Sequence, residues 1–408
     1  MKNTSIQAKQ KSLLKTSMNK YNFDDITKRK GTDSIKYSDC QPNLLPMWVA
    51  DMDFKVLPEI TDSIKRKADI PSYGYVDVPK AYFESYIGWF KRHHGFEIDI
   101  DKCIFSTGVI AALDSIFKHI LKANDGVMMQ TPIYHTFFHC LDNNNLDLVD
   151  NQLIYKNSEY SIDWAGFENS IKSGSVKVFL LCNPHNPTGK SYNKSDLNRF
   201  AKTCFENNVL LISDEVHGDI CKPGCKYTSI LEVDNKYKDN VIALLSPSKA
   251  FNVAGIHAAM VVVNNEKLKD RIQDGLWADD VGEPNYFACD ATIAAYNNGD
   301  VWNQEMCEYV QKNKDYVNEF FKINLPKIKI VKSDFLYLMW MDISSYSNDS
   351  EDFAKRLKEE TGIWVSEGSI FKGNGKHFIR VNVATSYSNI KDFCNRFLKF
   401  IKDKTASD

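Results

Sequence analysis

The sequence lacks the features that would set it apart from ordinary globular proteins. No two of its ten cysteines form a CxxC pair, and the close pair Cys221 and Cys225 has no second pair to complete a zinc site. These thiols read as reduced cytosolic residues, many of them small core hydrophobes. No apolar run approaches the roughly 20 residues of a membrane span. Neither sign of charge dominates: 51 Lys and Arg face 53 Asp and Glu, a formal net charge of −2. The basic excess or basic face of a nucleic-acid binder is missing. Residues 1–20 hold five lysines but no arginine, no Asp or Glu and no apolar stretch of signal-peptide type. They read as a flexible basic extension of a cytoplasmic protein. Internal repeats and low-complexity linkers are absent as well.

What is present is ample core material. Of 408 residues 43% are hydrophobic, and the length allows two or three structural units. A helix is expected over 79–94, with Pro79 near its first turn and Gly95 just past its end. From about 100 to 265, short apolar runs alternate with amphipathic stretches. The runs Val127–Met129, Val176–Leu181, Val209–Ile212, Val241–Leu245 and Ala258–Val263 read as buried strands, and 109–122 and 195–207 as helices. Strands apolar throughout and separated by helices indicate a parallel α/β sheet covered on both faces. Beyond about 300, helical stretches at 301–322, 350–360 and 388–402 flank two alternating segments, Phe335–Met341 and His377–Val383, that read as half-buried strands. The expected division is a basic extension (1–20), a segment completing a small domain (21–60), a large domain (61–300) and a C-terminal small domain (301–408).

Ligands of an open α/β sheet collect at the carboxyl ends of its strands. Val176–Leu181 runs into Cys182-Asn183-Pro184-His185-Asn186-Pro187-Thr188-Gly189, a rigid turn able to fix the direction of the Asn186 amide. Read alone, it is equally a plain turn. Val209–Ile212 runs into Ser213-Asp214-Glu215-Val216-His217, and a DE pair by itself reads as a solvated loop or cap. Val241–Leu245 runs into Ser246-Pro247-Ser248-Lys249-Ala250-Phe251, where the scarcity of other charge favours a partly desolvated amine with a lowered pKa. Ser106-Thr107-Gly108-Val109 opens a helix whose free N–H groups suit a phosphate, although Thr107 as an N-cap explains it equally well.

Taken together, Asn186, Asp214 and Lys249 at three successive strand ends resemble the fold-type I pyridoxal-phosphate (PLP) enzymes, the aspartate-aminotransferase superfamily, from about Tyr21 to the C-terminus. The stretches MWVADMDF (47–54), CNPHNPTG (182–189), SDEVHGD (213–219) and SPSKAFNVAG (246–255) resemble its MalY/PatB branch, the C–S β-lyases of cystathionine β-lyase type. The resemblance implies a three-layer α/β fold, with a large, mostly parallel sheet domain and a smaller α+β domain. It also implies a role for each residue. Lys249 holds PLP as a Schiff base and then serves as the base for the substrate α-proton. Asp214 pairs with the pyridine nitrogen, and Asn186 bonds the ring's phenolic oxygen. Tyr134 stacks on the ring, although its sequence surroundings alone suggest ordinary core packing. The phosphate falls to Gly108, Val109, Ser246 and Ser248, with Tyr75 reaching across from a second subunit of a homodimer.

Arg380 grips the substrate carboxylate in the family's manner; without the family it would read as a surface arginine. His217 stands where many aminotransferases carry tyrosine, and has a supporting role in the lyase branch. His257 occupies the place where some superfamily members put a phosphate-binding arginine. The implied substrate is a sulfur amino acid, L-cystathionine or a related S-substituted L-cysteine. That places the enzyme in sulfur amino-acid metabolism on the side of methionine biosynthesis. Two rivals stand beside this reading. One is an aminotransferase using the same residues; the other is a regulatory protein with secondary catalysis.

Overall fold

The computed structural model of the chain describes residues 20–39, 41 and 43–405; apart from Lys20, the expected basic extension lies outside them, as does Cys40. Seven strands form the central sheet: β1 (Cys103–Ser106), β2 (Gly126–Met129), β3 (Asp147–Asp150), β4 (Val176–Cys182), β5 (Leu210–Asp214), β6 (Val241–Leu245) and β7 (Ala259–Val263). Their order across the sheet is β1-β7-β6-β5-β4-β2-β3. β4, β5 and β6 run parallel in register, with Cys182 opposite Asp214 and Asp214 opposite Leu244. β7 differs from the parallel expectation, pairing antiparallel with both β1 and β6. The loop from β6 to β7 therefore turns back along one edge without a crossover helix.

Both faces of the sheet are buried, and successive residues of each strand divide between two cores. Ala243 and Leu245 enter one, Ile242 and Leu244 the other. The second core is closed by helices such as Val109–Ile120 and Glu266–Ala278, the first by Lys80–His94 and Lys194–Glu206. This gives the three-layer α/β architecture. The helix expected over 79–94 begins one residue later, with Pro79 as its N-cap, and stops at Gly95, whose φ of 78° suits glycine.

A second sheet of four strands carries the C-terminal part, with Leu338–Asp342 and Phe378–Asn382 at its centre. These two strands are not half-buried as expected. Met339, Met341, Ile379 and Val381 join the main core, whereas Trp340 and Phe378 stack at 5.0 Å in a separate cluster with Tyr160 and Phe371. The alternation is real, but each face meets a different apolar surface. Residues 335–337, expected in strand, form a loop in which Leu336 has a φ of 63°. The N-terminal segment joins this region as a short parallel pair, Leu45–Pro46 beside Ile363–Trp364. Trp48 stacks on Trp364 at 4.7 Å. All nine described cysteines are free, and seven are buried. No helix among the described residues is long and apolar enough to cross a membrane.

Candidate active site

The carboxyl ends of β4, β5 and β6 open into a cleft of about 790 Å³, lined by Asn186, Asp214, Lys249 and Arg380 among others. Two of its walls come from the loops of the large sheet. The third comes from the N-terminal segment (Trp48, Ala50), its partner strand (Trp364) and the second sheet (Ser366).

Asp214 ends β5 at 4% exposure, and its Oδ1 accepts the Val216 N–H at 3.1 Å. Burial pushes its carboxyl up to about 7; the Val216 N–H and the Lys249 ammonium pull the other way. A carboxyl poised there can share a proton with a basic ring nitrogen. The adjacent Glu215 is not the solvated loop acid that a DE pair suggests. It is buried, and it accepts bonds from Ser213 Oγ at 2.9 Å, Ser229 Oγ at 2.6 Å and Ile230 N–H at 2.7 Å. Glu215 therefore ties the strand end to a neighbouring loop.

Lys249 follows β6 in a tight turn and donates from Nζ to the Ala50 carbonyl at 3.0 Å. Burial is the main influence lowering its pKa, reinforced by Arg380 and opposed by Asp51 and Asp214. The lowered amine expected from the sequence is thus present. Asn186 accepts at Oδ1 from Arg380 Nη1 at 3.0 Å, which leaves its amide nitrogen for another partner.

Arg380 is 3% exposed, so the surface reading of its sequence surroundings does not hold. It lies on a central strand of the second sheet, where the opposite side of the sheet is also covered. Its Nη2 donates to the Trp48 carbonyl at 2.9 Å, its Nε has no partner, and no carboxylate among the described residues pairs with it. Burial lowers its pKa to about 10. A buried guanidinium without an anion is costly to maintain, which makes it a receptor for an anionic ligand.

Helix Val109–Ile120 points its N-terminus at the cleft. Its N-cap is Gly108 rather than Thr107, and no side chain caps it, so free N–H groups face the cavity. Ser248 also lines the cleft. The hydroxyl of Ser246 is already committed: it donates to the Ala258 carbonyl at 2.7 Å and accepts the Ser248 N–H at 3.1 Å. Tyr134 lines the cleft and packs edge-on against Phe137 at 5.5 Å, so the expected core contact and the cleft position coexist. His217 is buried with an unpartnered Nδ1, held neutral by burial and by the charges of Lys249 and Arg380. Tyr75 is not part of this cleft; it stands fully exposed beside Trp277 in a separate groove.

Residues missed from the sequence include His135, Trp364, Ser366 and Tyr337. His135 lines the cleft, and burial lowers its pKa to about 4. The hydroxyl of Tyr337 donates to the Ala50 carbonyl at 3.0 Å. Nothing in the spacing of these residues marks them. The set as a whole fits PLP: an acid for the ring nitrogen, an amine for the aldehyde, an amide for the phenolic oxygen and a helix start for the phosphate. His217 and Arg380, whose buried Nδ1 and Nε have no partner, both line this cleft.

Comparison with known proteins agrees with this geometry. The aminotransferase class I and II family matches residues 43–397. Cystathionine beta-lyase PatB of Bacillus subtilis is 32% identical over 92% of this chain and 98% of its own. Among solved structures, cystalysin of Treponema denticola, which contains PLP, superposes with a TM-score of 0.91 at 28% identity, covering 94% of this chain and 99% of its own. The PLP-bound C–S lyase of Staphylococcus hominis gives 0.88 at 29% identity, over 94% and 98%. The chain belongs to the aminotransferase class I and II family, in the branch that includes PatB.

Proposed function

We propose that the protein is a PLP-dependent carbon–sulfur β-lyase that converts L-cystathionine, or a related S-substituted L-cysteine, together with one water, to pyruvate, ammonia and a thiol such as homocysteine. The observation that carries this reading is the meeting of Lys249, Asp214, Asn186 and unpaired Arg380 in one cleft. The 32% identity to PatB over nearly the whole chain favours elimination over transamination. When bound, PLP supplies the electron sink that stabilises negative charge at the substrate α-carbon.

The chain's own residues do the rest. Arg380 binds the substrate carboxylate through its guanidinium, oriented by Asn186 and the Trp48 carbonyl. Lys249, its pKa lowered by burial, takes the α-proton. Asp214 keeps the cofactor ring nitrogen protonated, and the Asn186 amide nitrogen donates to the phenolic oxygen. Gly108 and Val109, with Ser248, hold the phosphate through N–H and O–H groups, and Ser246 supports that loop. His217 stays neutral beside Lys249 and so does not compete for the proton.

Exposed Tyr75 supplies the neighbouring subunit's phosphate site in a homodimer with shared active sites. The enzyme works in the cytoplasm, in the sulfur amino-acid metabolism that leads to methionine. Its large domain spans 61–300, and 21–60 completes the small domain of 301–408. The test is purified, PLP-supplemented protein with L-cystathionine and no keto acid, following pyruvate and free thiol together. Equal amounts of both support the lyase. Silence until a keto acid is added, then amino-group transfer, makes the protein an aminotransferase.

A further inference from the structure

The stretch between Met47 and Phe54 is held by side-chain donors from three directions. Trp48 O accepts from Arg380 Nη2 at 2.9 Å and Ser366 Oγ at 2.8 Å. Met52 O accepts from Arg29 at 2.8 Å and, like Phe54 O, from Asn252 at 3.1 Å. Asp53 is buried and paired with Lys36 and Arg29, both at 2.9 Å. At the middle of this strap the chain makes a three-residue turn centred on Ala50, closed by the Asp51 N–H on the Val49 carbonyl at 2.9 Å.

Asn382 clasps that turn. Its Nδ2 donates to Val49 O and to Asp51 O, both at 2.8 Å, and its Oδ1 accepts the Ala384 N–H at 2.8 Å. Both amide hydrogens and the carbonyl oxygen are engaged, so its orientation is fixed. With both ends of the turn held on one side, the carbonyl of the central residue faces the other way. There it meets Lys249 Nζ and Tyr337 Oη, each at 3.0 Å. Asn382 is 1% exposed and touches no reacting group in this arrangement.

We infer that Asn382 is a positioning residue for Lys249: by clasping the Ala50 turn it aims the Ala50 carbonyl at the lysine nitrogen and fixes where that nitrogen sits. Arg380 stands two residues earlier on the same strand face and holds the preceding carbonyl of the same strap. One strand thereby sets both the carboxylate clamp and the base. The charged groups acting on Lys249 are Asp51 and Asp214, which favour its protonated form, and Arg380, which opposes it; His217 beside it is neutral. The inference rests on the reading of Lys249 as the PLP-bearing base.

The test uses the holoenzyme and follows, against pH, the visible absorption band of the cofactor bound at Lys249. Asn382→Leu keeps the number and branching of the side-chain heavy atoms and removes the donors. A carbonyl that accepts from the protonated nitrogen raises its pKa, so losing the aim should lower the titration midpoint by about half a pH unit or more. kcat should fall about 10- to 100-fold, with KM within about threefold. Tyr337→Phe removes the competing donor from the same carbonyl and should move the midpoint upward. Unmoved midpoints in both variants would overturn the inference, even if Asn382→Leu melted at a lower temperature. Should Asn382→Leu fail to fold, Asn382→Ser, which keeps a single donor, is read in its place: a lowered midpoint supports the inference and a fixed one refutes it. A parent enzyme that transaminates leaves the test intact, since the band is the same in either reaction. A parent enzyme without the band would refute the Lys249 assignment and the inference together.

Discussion

The two halves of the cleft are built in different ways. On the large-sheet side, Asn186, Asp214 and Lys249 each sit within a short contiguous motif at the end of a buried parallel strand. Backbone geometry alone brings them together, because adjacent parallel strands end on the same edge. On the other side, Trp48, Ala50, Ser366, Arg380 and Asn382 come from segments over 300 residues apart, joined by side-chain donors on backbone carbonyls. Cofactor binding is assigned to the first half; the second supplies the substrate clamp at Arg380 and, through Asn382 and the Ala50 carbonyl, the aim of Lys249. A site can therefore keep its cofactor through local sequence while its substrate side depends on long-range hydrogen bonds.

Substitutions can break that comparison, and the largest effect is expected at Lys249. Lys249→Ala should abolish the absorption band of the Schiff base at Lys249 and cut turnover by about a thousandfold or more. A variant retaining both would remove the lysine from the chemistry. Asp214→Asn should lower kcat about 100-fold while leaving some cofactor bound, measured by steady-state rates alongside the bound spectrum. The same substitution has a stability signature. Asp214 titrates near 7 in the folded chain against about 4 unfolded, so the folded state holds a proton that the unfolded state has lost. In cofactor-free protein this carboxyl should cost stability as pH rises from 4 to 7, at most roughly 1.4 kcal/mol per pH unit. Asn has no such proton to lose. Melting curves at pH 4.5 and pH 8 should show Asp214→Asn gaining on the parent at the higher pH.

On the substrate side, Arg380→Lys should raise KM about tenfold or more with little change in the cofactor spectrum, because a point charge replaces a planar fork. An unchanged KM would place the carboxylate elsewhere. The smallest effect is expected at Gly362, where φ is 77° and an added Cβ would lie 2.6 Å from the Asn43 carbonyl oxygen. Gly362→Ala should cost roughly 1–3 kcal/mol in denaturant unfolding by loosening the pairing of Leu45–Pro46 with Ile363–Trp364. The cofactor spectrum should not change. If it did, the two halves would be less separate than their construction suggests.

Legibility followed the same division. The strand runs from 176 to 263 were readable because a strand buried on both faces is apolar throughout, and the polar residues after it stand out. Direction was not readable, since β7 is as apolar as the parallel strands yet runs antiparallel. Arg380 and Glu215 misled for one reason: their local sequences say nothing of what covers them. Tyr337 and Asn382 carry no local signal, because their partner is a carbonyl far away in the chain.

The sequence by itself determined the alternating α/β core, the order of the strand-end residues and the chemistry those residue types can perform. Each depends on periodicity or on side-chain identity, which are local properties. The tertiary structure alone decided that Arg380 is a buried cation with no carboxylate partner among the described residues, that Ser246 bonds the backbone, and that the Ala50 carbonyl faces Lys249. Burial, pKa and the direction of a hydrogen bond are set by what lies across the fold, and only packing brings those atoms within reach.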